Sequence, residues 1–127
     1  MSKGKILVID DHPIMHRELE KMLTTNGYEF FGAFDVVGGL RKAKLQKPDL
    51  VLVDIMLPEI EGTQVVRSFK TDPDLKNVPI IFMTVTLSKK DEAKNKMIKV
   101  DSESYPAFAK PISYPKLFLV FEQLIKK

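Results

Sequence analysis

Two stretches of the same form constrain this chain more than anything else in it. Each is a short apolar run that ends abruptly in carboxylate. Lys5-Ile6-Leu7-Val8-Ile9 runs into Asp10-Asp11, and Leu50-Val51-Leu52-Val53 runs into Asp54, with Pro48 before it and Pro58 after. Continuous apolar character marks a strand buried on both faces. An unpaired charge is too costly to bury inside such a layer, so the three aspartates are expected where strands end and loops open to solvent. Two more runs repeat the pattern. Val78-Pro79-Ile80-Ile81-Phe82-Met83 ends at the hydroxyl of Thr84, and Tyr105-Pro106-Ala107-Phe108-Ala109 ends at Lys110-Pro111. If these strands are parallel, three carboxylates, a hydroxyl and an ammonium group converge on one rim. In open α/β sheets the carboxyl ends of strands are where ligands bind.

Helical patterns separate the runs. Ile14, Met15, Leu19, Met22 and Leu23 recur at helix spacing over Pro13 to Thr25, and Asn26-Gly27 stops them. Tyr28 to Phe34 reads as a short strand. Asp35 can N-cap a helix to about Gln46, although Gly38-Gly39 weakens its start. A third helix is expected over Gly62 to Lys70, followed by turn residues at 71–77. A lysine-rich helix is expected from about Ser88 to Lys99. The last runs from Tyr114 to Ile125 behind the stripe Leu117, Phe118, Val120, Phe121 and Leu124. Five strands alternating with five helices predict a parallel sheet covered on both faces.

At 127 residues the chain suits a single domain over 1–127, and no effector domain is expected within it. The absence of cysteine excludes disulfides and thiolate metal sites. No apolar stretch approaches the roughly 20 residues of a membrane-spanning helix, and the short N-terminal lead into the first strand leaves no room for a signal peptide. A cytoplasmic location is expected. A net charge of +3 does not by itself point to nucleic acid, and no direct nucleic-acid binding is expected.

Taken together, Asp10-Asp11 after the first strand, Asp54 after the third, Pro58 and Gly62 beyond it, Thr84 after the fourth and Lys110-Pro111 after the fifth resemble a response-regulator receiver domain. The resemblance spans the chain from Lys5 to the last helix. It implies a flavodoxin-like fold with strand order 2-1-3-4-5. It also implies a signalling phosphoacceptor rather than an enzyme with a separate substrate. A phosphohistidine on a sensor histidine kinase or a histidine phosphotransfer protein would be the donor, and an unidentified downstream protein the target. An aspartate can act as a nucleophile toward a phosphoryl group, and Asp54 is the candidate acceptor. Phosphoryl transfer needs charge neutralisation and positioning. Mg2+ suits a carboxylate cluster that faces phosphate. The resemblance assigns Asp11 and Asp54 as direct ligands, Asp10 through a water, and the backbone carbonyl of Met56 as the last protein ligand. It further implies that Lys110, aimed by a cis Lys110-Pro111 bond, pairs with a phosphoryl oxygen, and that Thr84 donates to the phosphate once formed. His12 and His16 have no expected role.

Three departures bear on output: Val85 where the family prefers alanine or glycine, Ala107 where most members carry a switching aromatic, and a lengthened Thr84–Lys110 segment with Asp101-Ser102-Glu103-Ser104 before the last strand. Phe108 is expected in the core, with Tyr105 as the nearest exposed substitute. The signal is then expected to leave through the helix bearing Lys89, Lys90, Lys94, Lys96 and Lys99. An aspartate-nucleophile phosphatase of the haloacid-dehalogenase type needs Asp-x-Asp, which neither stretch supplies. No P-loop is present. The remaining alternative is a receiver-like binding module that signals without phosphate.

Overall fold

The computed structural model describes residues 2–55, 62–84 and 97–125. In chain order these form β1 (Lys5–Ile9), α1 (Pro13–Thr25), β2 (Glu29–Ala33), α2 (Val36–Gln46), β3 (Leu50–Asp54), α3 (Gly62–Lys70), β4 (Ile80–Thr84), β5 (Met97–Val100), β6 (Glu103–Ala109) and α4 (Tyr114–Leu124). They build a sheet ordered β2-β1-β3-β4-β6-β5. The first five strands of that order are mutually parallel, and β5 is antiparallel to β6. The parallel part is therefore the flavodoxin-like arrangement, with one strand added at its edge.

The period of two along each strand sorts the core into two layers. Leu7, Ile9, Val51, Val53, Ile80, Phe82 and Ala107 pack with Val36 and Ala43 of α2 and with Val65, Val66 and Phe69 of α3. Their alternates Ile6, Val8, Leu50, Leu52, Ile81, Met83 and Phe108 pack with Leu19 and Leu23 of α1 and with Leu117 and Phe121 of α4. Apolar residues on both faces of the strands are what forces helices onto both sides.

The α2 boundary follows its cap. The Asp35 carboxylate accepts the Gly38 backbone N–H at 2.7 Å. The Gly38-Gly39 pair, a weakness by propensity, has a packing reason. A Cβ on Gly39 would lie 2.5 Å from Ile9 Cδ1, so only glycine lets α2 seat this closely on β1.

The C-terminal part of the expected 88–99 helix is instead a strand. Met97–Val100 pairs with β6 in the register Met97↔Pro106, Ile98↔Tyr105, Lys99↔Ser104 and Val100↔Glu103. The reason lies in local alternation: Val100 is buried while Met97 and Lys99 are exposed. Asp101 follows in the left-handed region (φ 56°), which Asp tolerates better than most side chains. The Asp101-Ser102 turn thus closes a hairpin. Lys99 belongs to that hairpin, whereas Val85, Lys89, Lys90, Lys94 and Lys96 lie outside the described residues.

Tyr105 also departs from expectation. It is buried rather than exposed, with its ring edge-on to Phe82 at 5.9 Å between centroids. Its hydroxyl donates to Glu103 at 2.7 Å. Burial, and then this carboxylate, push the phenol well above the usual tyrosine range. Ala107 and Phe108 fall on opposite faces, Phe108 in the α1/α4 layer as expected.

Candidate functional site

The parallel register brings the strand ends to one rim. Asp10 directly follows Ile9, which is in register with Val53, and Asp54 is in register with Met83. Thr84 comes next, buried, and its carbonyl accepts the Lys110 backbone N–H at 3.1 Å. The Lys110-Pro111 peptide is cis.

The carboxylates do not open to solvent as simple strand-end charges. Asp10 is 0% exposed and Asp54 2% exposed. What makes this burial tolerable is Lys110, whose ammonium donates to Asp10 Oδ2 at 2.8 Å and to Asp54 Oδ2 at 3.2 Å. Burial alone would push Asp10 up. The Lys110 and His12 hydrogen bonds outweigh it and hold Asp10 below the usual carboxylate value. Burial likewise disfavours the Lys110 ammonium, but Asp10 and Asp54 hold it above the usual lysine value. Lys110 is therefore a fixed cation bridging two buried carboxylates.

Sequence reasoning passed over His12, which the structure brings into the cluster. Its backbone N–H donates to Asp10 Oδ1 at 2.9 Å, and its ring Nδ1 to the same oxygen at 2.7 Å. Since a carboxylate only accepts, Nδ1 carries the hydrogen. The same nitrogen lies 3.1 Å from Asp11 Oδ1 and 3.6 Å from Asp54 Oδ2. Its hydrogen bond to Asp10, the largest cause, raises His12 above the usual histidine value. The available signal was adjacency, because the residue after Asp10-Asp11 cannot leave the rim.

His16 was missed as well. It is buried, its Nε2–H donates to the Asp10 carbonyl at 2.6 Å, and its ring packs against Phe34 and the edge of Phe30. A Cβ on Gly32 would lie 2.5 Å from His16 Nδ1. Glycine there makes room for an imidazole that pins the backbone of the acidic turn.

Asp10, Asp11, His12 and Asp54 each offer a ligand atom, all within 4.8 Å of one another. Asp11 Oδ1 is buried and accepts no hydrogen bond from the described residues. An orphaned carboxylate oxygen beside two more carboxylates suits a hard divalent cation. The acidic pocket thus fits a phosphoacceptor and Mg2+ site, whereas Met56 lies outside the described residues.

Comparison with known proteins agrees with this arrangement. The family model described as response regulator receiver domain matches residues 6–121. The polar-differentiation response regulator DivK of Brucella anthropi is 30% identical over 111 residues, covering 87% of each chain. The receiver domain of a Pseudomonas aeruginosa sensor histidine kinase, solved with a magnesium ion coordinated in its active-site cleft, superposes with a TM-score of 0.78 at 26% identity, covering 96% of this chain and 97% of that one. A putative response regulator from Chloroflexus aurantiacus gives a TM-score of 0.79 at 22% identity, covering 98% of both chains. With a family match over residues 6–121 and a rim of buried aspartates bridged by lysine, this chain belongs to the response-regulator receiver domains of two-component signalling.

Proposed function

We propose that this domain accepts a phosphoryl group on Asp54 from a phosphohistidine of a sensor kinase or histidine phosphotransfer protein, in a Mg2+-dependent reaction, and that the aspartyl phosphate alters binding to a downstream protein. The observation that carries this is the Lys110 ammonium held against both Asp10 and Asp54 in a nearly closed rim. One Asp54 oxygen attacks phosphorus, the P–N bond to the donor imidazole breaks, and the electron pair leaves with that ring. Lys110, already placed, exchanges its contact with Asp54 Oδ2 for a phosphoryl oxygen. Thr84, beside Lys110 at the rim, supplies a hydroxyl to the product. Asp10, Asp11 and Asp54 would hold Mg2+, which would neutralise charge on the transferring phosphoryl group.

Acetyl phosphate with Mg2+ is expected to add one acid-stable, base-labile phosphoryl group, read by intact mass, and Asp54→Asn is expected to take up none. Equal labelling of the variant would overturn the assignment.

A further inference from the structure

The ligand logic of a magnesium site is oxygen only, yet an imidazole nitrogen stands among the carboxylates of this cluster. His12 Nδ1 stands 2.7 Å from Asp10 Oδ1, 3.1 Å from Asp11 Oδ1 and 3.6 Å from Asp54 Oδ2. Neighbouring ligands at roughly 2.0–2.1 Å from a metal are about 2.9 Å apart in an octahedral shell and about 3.4 Å apart in a tetrahedral one. The three separations, 2.7, 3.1 and 3.6 Å, bracket these values. The imidazole is held at ligand spacing from all three carboxylates.

We propose that His12 Nδ1 is a metal ligand in this domain, so that the site takes nitrogen-accepting divalent transition ions of the Co2+ and Zn2+ class in preference to Mg2+. This deepens the proposed function and rests on its placing of a cation among these aspartates. Two observations support it. Asp11 Oδ1, buried and accepting no hydrogen bond from the described residues, leaves a carboxylate oxygen to be satisfied beside the imidazole. The His12 backbone is fixed independently of its ring, by the N–H bond to Asp10 Oδ1 and by Pro13 in the first turn of α1. The ring thus sits on a rigid base. Chemistry then sets the preference: imidazole suits zinc, cobalt and their neighbours, whereas Mg2+ keeps oxygen ligands and water. Nδ1 now carries its hydrogen toward Asp10, and ligation requires the tautomer with the hydrogen on Nε2, reached by exchange with water.

The test compares metal affinities of wild type, His12→Ala and His12→Gln. His12 is well exposed, with 59% of its side chain accessible, and circular dichroism verifies that the variants fold. Removing even an outer-shell partner costs about 10–100-fold in metal affinity, so His12→Ala is expected to weaken Co2+ binding at least about tenfold while Mg2+ affinity changes by less than about threefold. In wild type, Zn2+ is expected to shift the His12 Nδ1 resonance in a nitrogen-15 spectrum, a readout needing no variant. Unchanged Co2+ affinity in both variants, or a His12 resonance indifferent to Zn2+, overturns nitrogen ligation. Continued Mg2+-dependent labelling of Asp54 by acetyl phosphate in those variants would then leave the phosphoacceptor reading standing. Failure of the wild type to bind any of the three ions overturns both.

Discussion

Charge is handled in opposite ways at the two ends of this sheet's edge-to-centre axis. At the central rim, Lys110 pairs with Asp10 and Asp54, and the three side chains are only 12%, 0% and 3% exposed. At the β5–β6 hairpin, Arg67 pairs with Asp101 and Lys70 with Glu103 between side chains that are 37–67% exposed. The Coulomb attraction is similar in kind, but water screens one set and not the other. Only where both anions are buried does removal of a single cation leave a charge with nowhere to go. The proposed phosphoacceptor chemistry uses the buried set, since a cation already desolvated and aimed needs no reorganisation to meet a phosphoryl group.

The largest effect that can break this contrast is Lys110→Met in metal-free protein. It is expected to cost about 2–3 kcal/mol, toward the low side for breaking a buried pair because Lys110 keeps some exposure. Urea unfolding measures it, and a loss no greater than that of Arg67→Ala would erase the distinction. Next comes Gly32→Ala, which drives a methyl into His16 and disturbs its bond to the Asp10 carbonyl. An overpacking cost of about 1–2 kcal/mol is expected, with amide shifts concentrated at Asp10–His12.

A third test uses pH. His12 is raised above its ordinary value of 6.5 and Asp10 lowered below 3.8. The His12 contribution is therefore complete below about pH 6.5 and lost as pH rises through its raised value. The Asp10 contribution is present above about pH 3.8 and lost as pH falls through its lowered one. In metal-free protein the His12 ring, followed by NMR, is expected to titrate above 6.5 and to move back toward it in Asp10→Asn. No movement would mean that Asp10 is not the cause. The smallest effect is Arg67→Ala, expected within about 0.5 kcal/mol of wild type, and a larger loss would show the hairpin pairs to be less screened than their exposure implies.

Much of the molecule was legible from local pattern. The run Leu50–Asp54 announced a strand buried on both faces with its carboxylate at the end, and Asp35 announced the start of α2, because strand period, capping chemistry and the cost of burying charge act within a few residues. The shared rim followed once parallel pairing was assumed, since every crossover then returns the chain in the same direction. Other features depend on what the neighbours are. Tyr105 is buried only because Phe82 and Val66 lie across from it in the same layer. The Met97–Val100 segment is a strand because β6 offers it a partner, an interaction stronger than any local helix propensity. His12 and His16 look like two polar residues on a helix start until β1, β2 and β3 are laid side by side. By itself the sequence determined which residues end strands and therefore reach the rim. Only the tertiary structure decided that Lys110, a hundred residues from Asp10, neutralises the buried pair and that an imidazole stands among its carboxylates, because pairing across such separations is set by strand order rather than by neighbouring residues.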